Sequence, residues 1–136
     1  RVSKLYLTGL DDFIMCKELR MGGEQWDSLT FIQVEKCHLS RKNIFSLTGD
    51  AEGELRIIDC TFEANPMDSL RNRAYAGKTY LELDNPPEDW INIDNLLKTR
   101  SSLTFNIKIK GWPQDRLDAL KAKLMQHPDV SNVTIE

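Results

Sequence analysis

Long apolar runs are missing from this chain. The longest is Phe13-Ile14-Met15-Cys16, far short of the roughly 20 residues of a membrane-spanning helix, so membrane insertion is not expected. The start carries no signal-peptide pattern. Cysteine is scarce, with three residues, and histidine scarcer, with two. Three cysteines make no disulfide framework, and an odd number points to reduced thiols and an intracellular, cytoplasmic setting. Glycine-rich points occur only at Leu47-Thr48-Gly49-Asp50 and Gly22-Gly23-Glu24. Neither has the spacing of a phosphate-cradling loop or a dinucleotide fingerprint, and both read as turns. No cofactor is therefore expected. The chain opens on Arg1 rather than Met, which reads as a piece of a longer protein or assembly.

What is present is ordinary in amount and uneven in placement. The 136 residues fit one domain. Hydrophobic residues make up 40% and charged residues 29%, enough for a packed core. The net charge is −3, yet Asn95 to Met125 carries Lys98, Arg100, Lys108, Lys110, Arg116, Lys121 and Lys123 against only Asp115 and Asp118. A basic end of this kind meets phosphates or an acidic partner, or is simply a solvated face.

Short alternating apolar segments recur. They are Leu5-x-Leu7, Leu19-x-Met21, Ile32-x-Val34, Leu55-x-Ile57, Leu81-x-Leu83, Ile107-x-Ile109 and Val133-x-Ile135. From Ile32 onward their first residues are 23, 26, 26 and 26 apart, a period typical of repeat architectures. Residues 29–39 read Leu29-x-x-Ile32-x-Val34-x-x-Cys37-x-Leu39, and residues 55–62 repeat the end of that pattern as Leu55-x-Ile57-x-x-Cys60-x-Phe62. The chain thus resembles the leucine-rich-repeat family in its cysteine-containing, ribonuclease-inhibitor-like style. That resemblance implies an irregular α/β solenoid over residues 1–136, with parallel strands on a concave face and helices on a convex one. Two features depart from the pattern. The first two steps, 14 and 13 residues, are too short for a full repeat with a helix, so either 11–16 and 22–28 are tight returns or the N-terminal strands pair in another way. Pro86 and Trp112 stand where later repeats would carry Asn or Cys. A rival reading takes Ser101 to Glu136 as the closing β-α-β unit of a ferredoxin-like domain.

Helical spacing appears between the strands. Ser40 is placed to cap a helix carrying Ile44, Phe45 and Leu47. Pro66 opens a second with Met67 and Leu70. Pro87 opens a third with Trp90, Ile93 and Leu97 in a stripe. Pro113 opens the fourth, where Leu117, Leu120 and Leu124 form the stripe and Pro128 ends it.

No set of residues assembles a catalytic or metal site. Cys37 and Cys60 at the repeat position read as inward-packed thiols. His38 follows Cys37 and points the other way on extended chain, so a Cys–His pair is not expected. The carboxylates Glu52, Glu54, Glu82, Asp84, Glu88 and Asp89 have no spacing that makes them converge. Asn132-Val133-Thr134 is a glycosylation triplet inside an expected strand.

Attention then falls on the residues between the inward ones, which stand on the opposite strand face. The expected columns are Lys4, Glu18, Phe31, Glu54, Tyr80, Asn106 and Asn132; then Tyr6, Arg20, Gln33, Arg56, Glu82, Lys108 and Thr134; then Thr8, Gly22, Glu35, Ile58, Asp84, Lys110 and Glu136. Tyr6, Arg20, Phe31, Gln33, Arg56, Tyr80, Glu82 and Lys108 are the candidate partner-binding residues, because Tyr and Arg suit interface anchors. Phe31 and Ile58 are large apolar groups on that face, which fits a covered surface unless a one-residue shift turns Ile58 inward. The expected function is non-catalytic recognition of another protein, or of another domain of the parent chain. The resemblance implies company such as nucleotide-binding leucine-rich-repeat receptors or F-box proteins. The alternative is a small α/β domain binding a ligand or nucleic acid through the basic end.

Overall fold

The computed structural model describes residues 4–10, 30–50, 53–71 and 77–136. Six strands lie in one sheet: β1 (Lys4–Thr8), β2 (Phe31–Glu35), β4 (Glu54–Ile58), β6 (Lys78–Asp84), β7 (Thr104–Lys110) and β8 (Val133–Ile135). All neighbouring strands are parallel and follow chain order. Two short strands, β3 (His38–Leu39) and β5 (Thr61–Phe62), form a separate parallel pair. The helices are α1 (Arg41–Asp50), α2 (Met67–Leu70), α3 (Ile93–Leu97) and α4 (Gln114–Met125), and a 3-10 turn spans Pro128–Val130. The chain is α/β with a parallel sheet. The expected strand at Leu19–Met21 lies outside the described residues.

Strict alternation decides which face is buried. Ile32, Val34, Leu55, Ile57, Leu81, Leu83, Phe105, Ile107 and Ile109 point inward and are buried. They meet Ile44, Leu47, Met67, Leu70, Leu96, Leu117 and Leu120 in one core. The helices thus cover one side of the sheet, as parallel strands require of their crossovers. Ser40 and Asn43 cap α1 reciprocally: Asn43 N donates to Ser40 Oγ (3.1 Å) and Ser40 N to Asn43 Oδ1 (2.8 Å). Phe45 is not part of the buried stripe; it is 74% exposed. The helix expected to open at Pro87 begins later, because Asn92 supplies the cap: its side chain accepts from Asn95 N (2.9 Å). Trp90 remains in the preceding turn.

Each of β1, β2, β4, β6 and β7 ends in the same backbone device. The residue just after it is left-handed: Gly9, Lys36, Asp59, Asn85 and Gly111, with φ between 49° and 90°. Glycine, Asn and Asp tolerate that region readily; Lys36 is held there by its neighbours, its N–H donating to Ile58 O (3.2 Å). At three of the five turns the side chain of the next residue closes the turn. Cys37 Sγ donates to Glu35 O (3.2 Å) and accepts from Leu10 N (3.3 Å). Cys60 Sγ faces Ile58 O (3.4 Å) and Val34 O (3.6 Å). Trp112, which departs from the cysteine pattern, does the same work with its indole: Nε1–H donates to Pro86 O (2.9 Å). Burial pushes the Cys60 thiol up to about 11, so it stays a protonated donor.

The expected alignment of the strands fails in one place and then again. Leu5, Ile32 and Leu55 are level, as are Leu7, Val34 and Ile57. Leu55 then faces Thr79 rather than Leu81, and Ile57 faces Leu81. Thr79 is fully buried and takes the inward place that a leucine was expected to fill. The strand β6 therefore runs on past the end of β4 before it turns. A second shift sets Phe105 opposite Val133 and Ile107 opposite Ile135. At the strand starts the backbones approach closely. A Cβ on Gly53 would overlap the Thr30 carbonyl, and one on Gly77 would overlap the Gly53 carbonyl.

Candidate functional site

The outward strand face has no covering element among the described residues. Its central row follows the observed pairing: Tyr6, Gln33, Arg56, Tyr80, Asn106 and Thr134. Adjacent strands are about 4.8 Å apart, so these side chains stand shoulder to shoulder. All three expected columns are broken between β4 and β6: Tyr80 rather than Glu82 joins Arg56, while Glu82 stays opposite Lys108 as expected. Asn132 leaves the face altogether; its amide donates to Leu103 O (2.6 Å) and Arg100 O (3.2 Å) in the turn below. Ile58 stays on the outward side with Glu54 and Arg56 and is half-buried.

The row forms two aromatic clusters. Tyr6 and Phe31 meet with ring centroids 5.5 Å apart, and Lys4 Nζ lies 5.8 Å from the Phe31 ring. Tyr6 is 59% exposed. Further along, the Arg56 guanidinium lies 4.4 Å from the Tyr80 centroid, stacked as planar cations stack on rings. Glu54 pairs with Arg56 from below (3.5 Å). Tyr80 Oη donates to Glu82 Oε1 (2.9 Å), and Lys110 Nζ pairs with Glu82 Oε2 (3.7 Å). Burial first, then the hydrogen bond to Glu82, holds the Tyr80 hydroxyl up at about 12. These contacts fix the rotamers of long side chains before any partner arrives, which lowers the ordering cost of binding. Seven of the eight expected binding residues thus share one surface; Arg20 lies outside the described residues.

The basic end does not form one patch. Lys108 and Lys110 are on the outward strand face. Arg116, Lys121 and Lys123 are on α4, whose Leu117 and Leu120 pack on the opposite side of the sheet. Arg116 is further occupied by the Trp112 ring (3.9 Å) and Glu88 (3.4 Å). Phe105 is fully buried, so it offers no stacking surface. Among the described residues no group of His, Cys, Asp and Glu is arranged to hold a metal, and no helix is long and apolar enough to cross a membrane.

A second feature was invisible in the sequence. Where β6 outruns β4, a notch of about 230 Å³ opens between the two turns. Its walls are Cys60, Thr61, Phe62, Leu83, Asp84, Asn85, Pro86, Pro87 and Trp90. The Phe62 and Trp90 rings stand at 85° with centroids 6.3 Å apart. Only the pairing register brings these two segments together, and neither motif nor spacing marks them in the chain. Comparison of the chain with protein-family models, with curated proteins and with solved structures finds no match.

Proposed function

We propose that this chain is a leucine-rich-repeat-like recognition module without catalytic activity. It binds another protein, or another domain of its parent chain, through the outward strand face. The observation that carries the reading is the continuous row from Tyr6 to Thr134, with ringed and guanidinium side chains already positioned on a sheet face that no described element covers. Interfaces draw most of their energy from such Tyr and Arg anchors. The solenoid reading is supported by strands added in chain order, by the repeated left-handed turn, and by thiols closing successive turns. Both described cysteines are free and act as hydrogen-bond donors, which fits a reducing, cytoplasmic setting. Division of the basic residues between the two sides of the sheet favours this reading over nucleic-acid binding.

Affinity capture with wild type and an Arg56→Glu, Lys108→Glu double variant tests it. A protein retained by the wild type and lost by the folded variant supports the strand face as the binding surface. Equal retention by both, or recovery of nucleic acid with affinity falling steeply in salt, overturns it.

A further inference from the structure

We propose that the notch between β4 and β6 binds a methylated ammonium group. Three observations meet there. The first is shape. Rings at right angles and 6.3 Å apart form two adjoining walls, with Leu83, Pro86 and Pro87 adding further apolar surface. At about 230 Å³ the notch is below the roughly 300–1,000 Å³ of sites that enclose larger ligands, so its occupant is a head group of a few heavy atoms.

The second is charge. Asp84 is exposed and in the wall. Its register partner is Lys110, but the Lys110 ammonium turns to Glu82 instead (3.7 Å). Among the described residues the Asp84 carboxylate has no ion pair, and Asp59 and Glu63 flank the Cys60–Phe62 wall in the chain. A cation is favoured over the faces of aromatic rings, and alkyl substituents on it add apolar contact. An anion gains nothing from these walls.

The third is position. The notch sits just past the carboxyl end of β6, in the step left where β4 stops two residues earlier. Its Phe62 and Trp90 walls are not part of the strand face of the proposed function, which it meets only at Asp84, the last residue of β6.

The test is a ¹H–¹⁵N NMR titration of the whole chain with choline chloride, with trimethyllysine amide, and with the neutral isostere 3,3-dimethylbutanol, at constant ionic strength. Saturable shifts confined to the Trp90 indole and the amides of Thr61, Phe62 and Leu83–Asn85, with α4 unmoved, are expected from one or both cations. The tighter of the two tells a free head group from a modified side chain. Asp84→Asn should weaken binding about three- to fivefold, and Trp90→Leu should abolish it. No saturable shift with either cation overturns the proposal. So does an isostere that binds as well as choline, or an Asp84→Asn variant that binds unchanged. The last two comparisons hold even if Trp90→Leu does not fold.

Discussion

The part of the sheet made by β1, β2 and β4 and the part made by β6 and β7 close their turns in different ways. In the first, strands of five residues end level, and a buried thiol returns hydrogen bonds to carbonyls of its own strand and the one before. In the second, strands of seven residues end later, and the closing group is the Trp112 indole reaching Pro86 O. The backbone between is the same, a single left-handed residue in each case. The geometry of the turn is therefore the conserved requirement of the fold within this one molecule. Where a side chain closes the turn, the donor one residue after it is interchangeable; after β1 and β6, Leu10 and Pro86 offer none. Cysteine does this from inside the core. Tryptophan does it from a half-exposed position, and its ring is left free to carry Arg116.

The junction between the parts is where a single change should cost most. Gly77→Ala pushes a Cβ into the Gly53 carbonyl, a backbone clash with no flexible neighbour to yield. We expect a loss of about 3 kcal/mol, read as a lowered denaturant midpoint. The effect should exceed that of Gly9→Ala, where a Cβ meets nothing and only the left-handed φ resists.

Next in size is the thiol closure. Cys60→Ala removes buried volume and the thiol's hydrogen bonds to Ile58 O and Val34 O, at about 2 kcal/mol. It also predicts a pH signature. Folding raises the Cys60 pKa from 9.0 to about 11, so the folded state holds that proton more tightly than the unfolded chain. The associated stability is present below pH 9 and is lost as pH rises through 11. Tyr80, raised from 10.0 to about 12, adds a second loss between those values. Wild type should weaken from pH 9 upward by thermal denaturation, and Cys60→Ala should hold level until the tyrosine titrates.

Trp112→Phe isolates the indole hydrogen bond while keeping the ring over which Arg116 lies. It should cost about 1 kcal/mol, less than the thiol because a ring still fills the site. Smallest is Arg56→Ala, a surface stack expected to change stability by less than about 1 kcal/mol while weakening partner capture. A large stability loss there would mean that the row holds the sheet together rather than waiting for a partner.

The inward residues and the turn cysteines were legible because alternation and the paired motifs Ile32-x-Val34-x-x-Cys37 and Leu55-x-Ile57-x-x-Cys60 state them directly; the expected columns wrongly set residues 18–22 between β1 and β2, which pair directly. The register between β4 and β6 was not legible. Lys78-Thr79-Tyr80 alternates as well as Leu81-x-Leu83 does, and a polar threonine at the buried place hides where the strand begins. Period two cannot separate shifts of two residues, since both leave the same side chains inward. The same blindness moved Tyr80 next to Arg56 and concealed the notch. Trp90 was read onto a helix because its spacing to Ile93 is helical, yet the Asn92 cap outweighs spacing and holds it in a turn.

Strands that pair only with their chain neighbours have a kinetic consequence. Leu5, Ile32, Leu55, Thr79, Phe105 and Val133 succeed one another at 27, 23, 24, 26 and 28 residues, so no contact of the sheet waits for distant segments to find each other. Each newly closed loop is of similar size, and its entropic cost is similar too. Assembly can begin at any adjacent pair and spread both ways, as in a zipper. The two-residue offset between β4 and β6 leaves the parallel pairing unbroken, so amide exchange should show protection falling off toward both edges of the sheet, with no step at that offset.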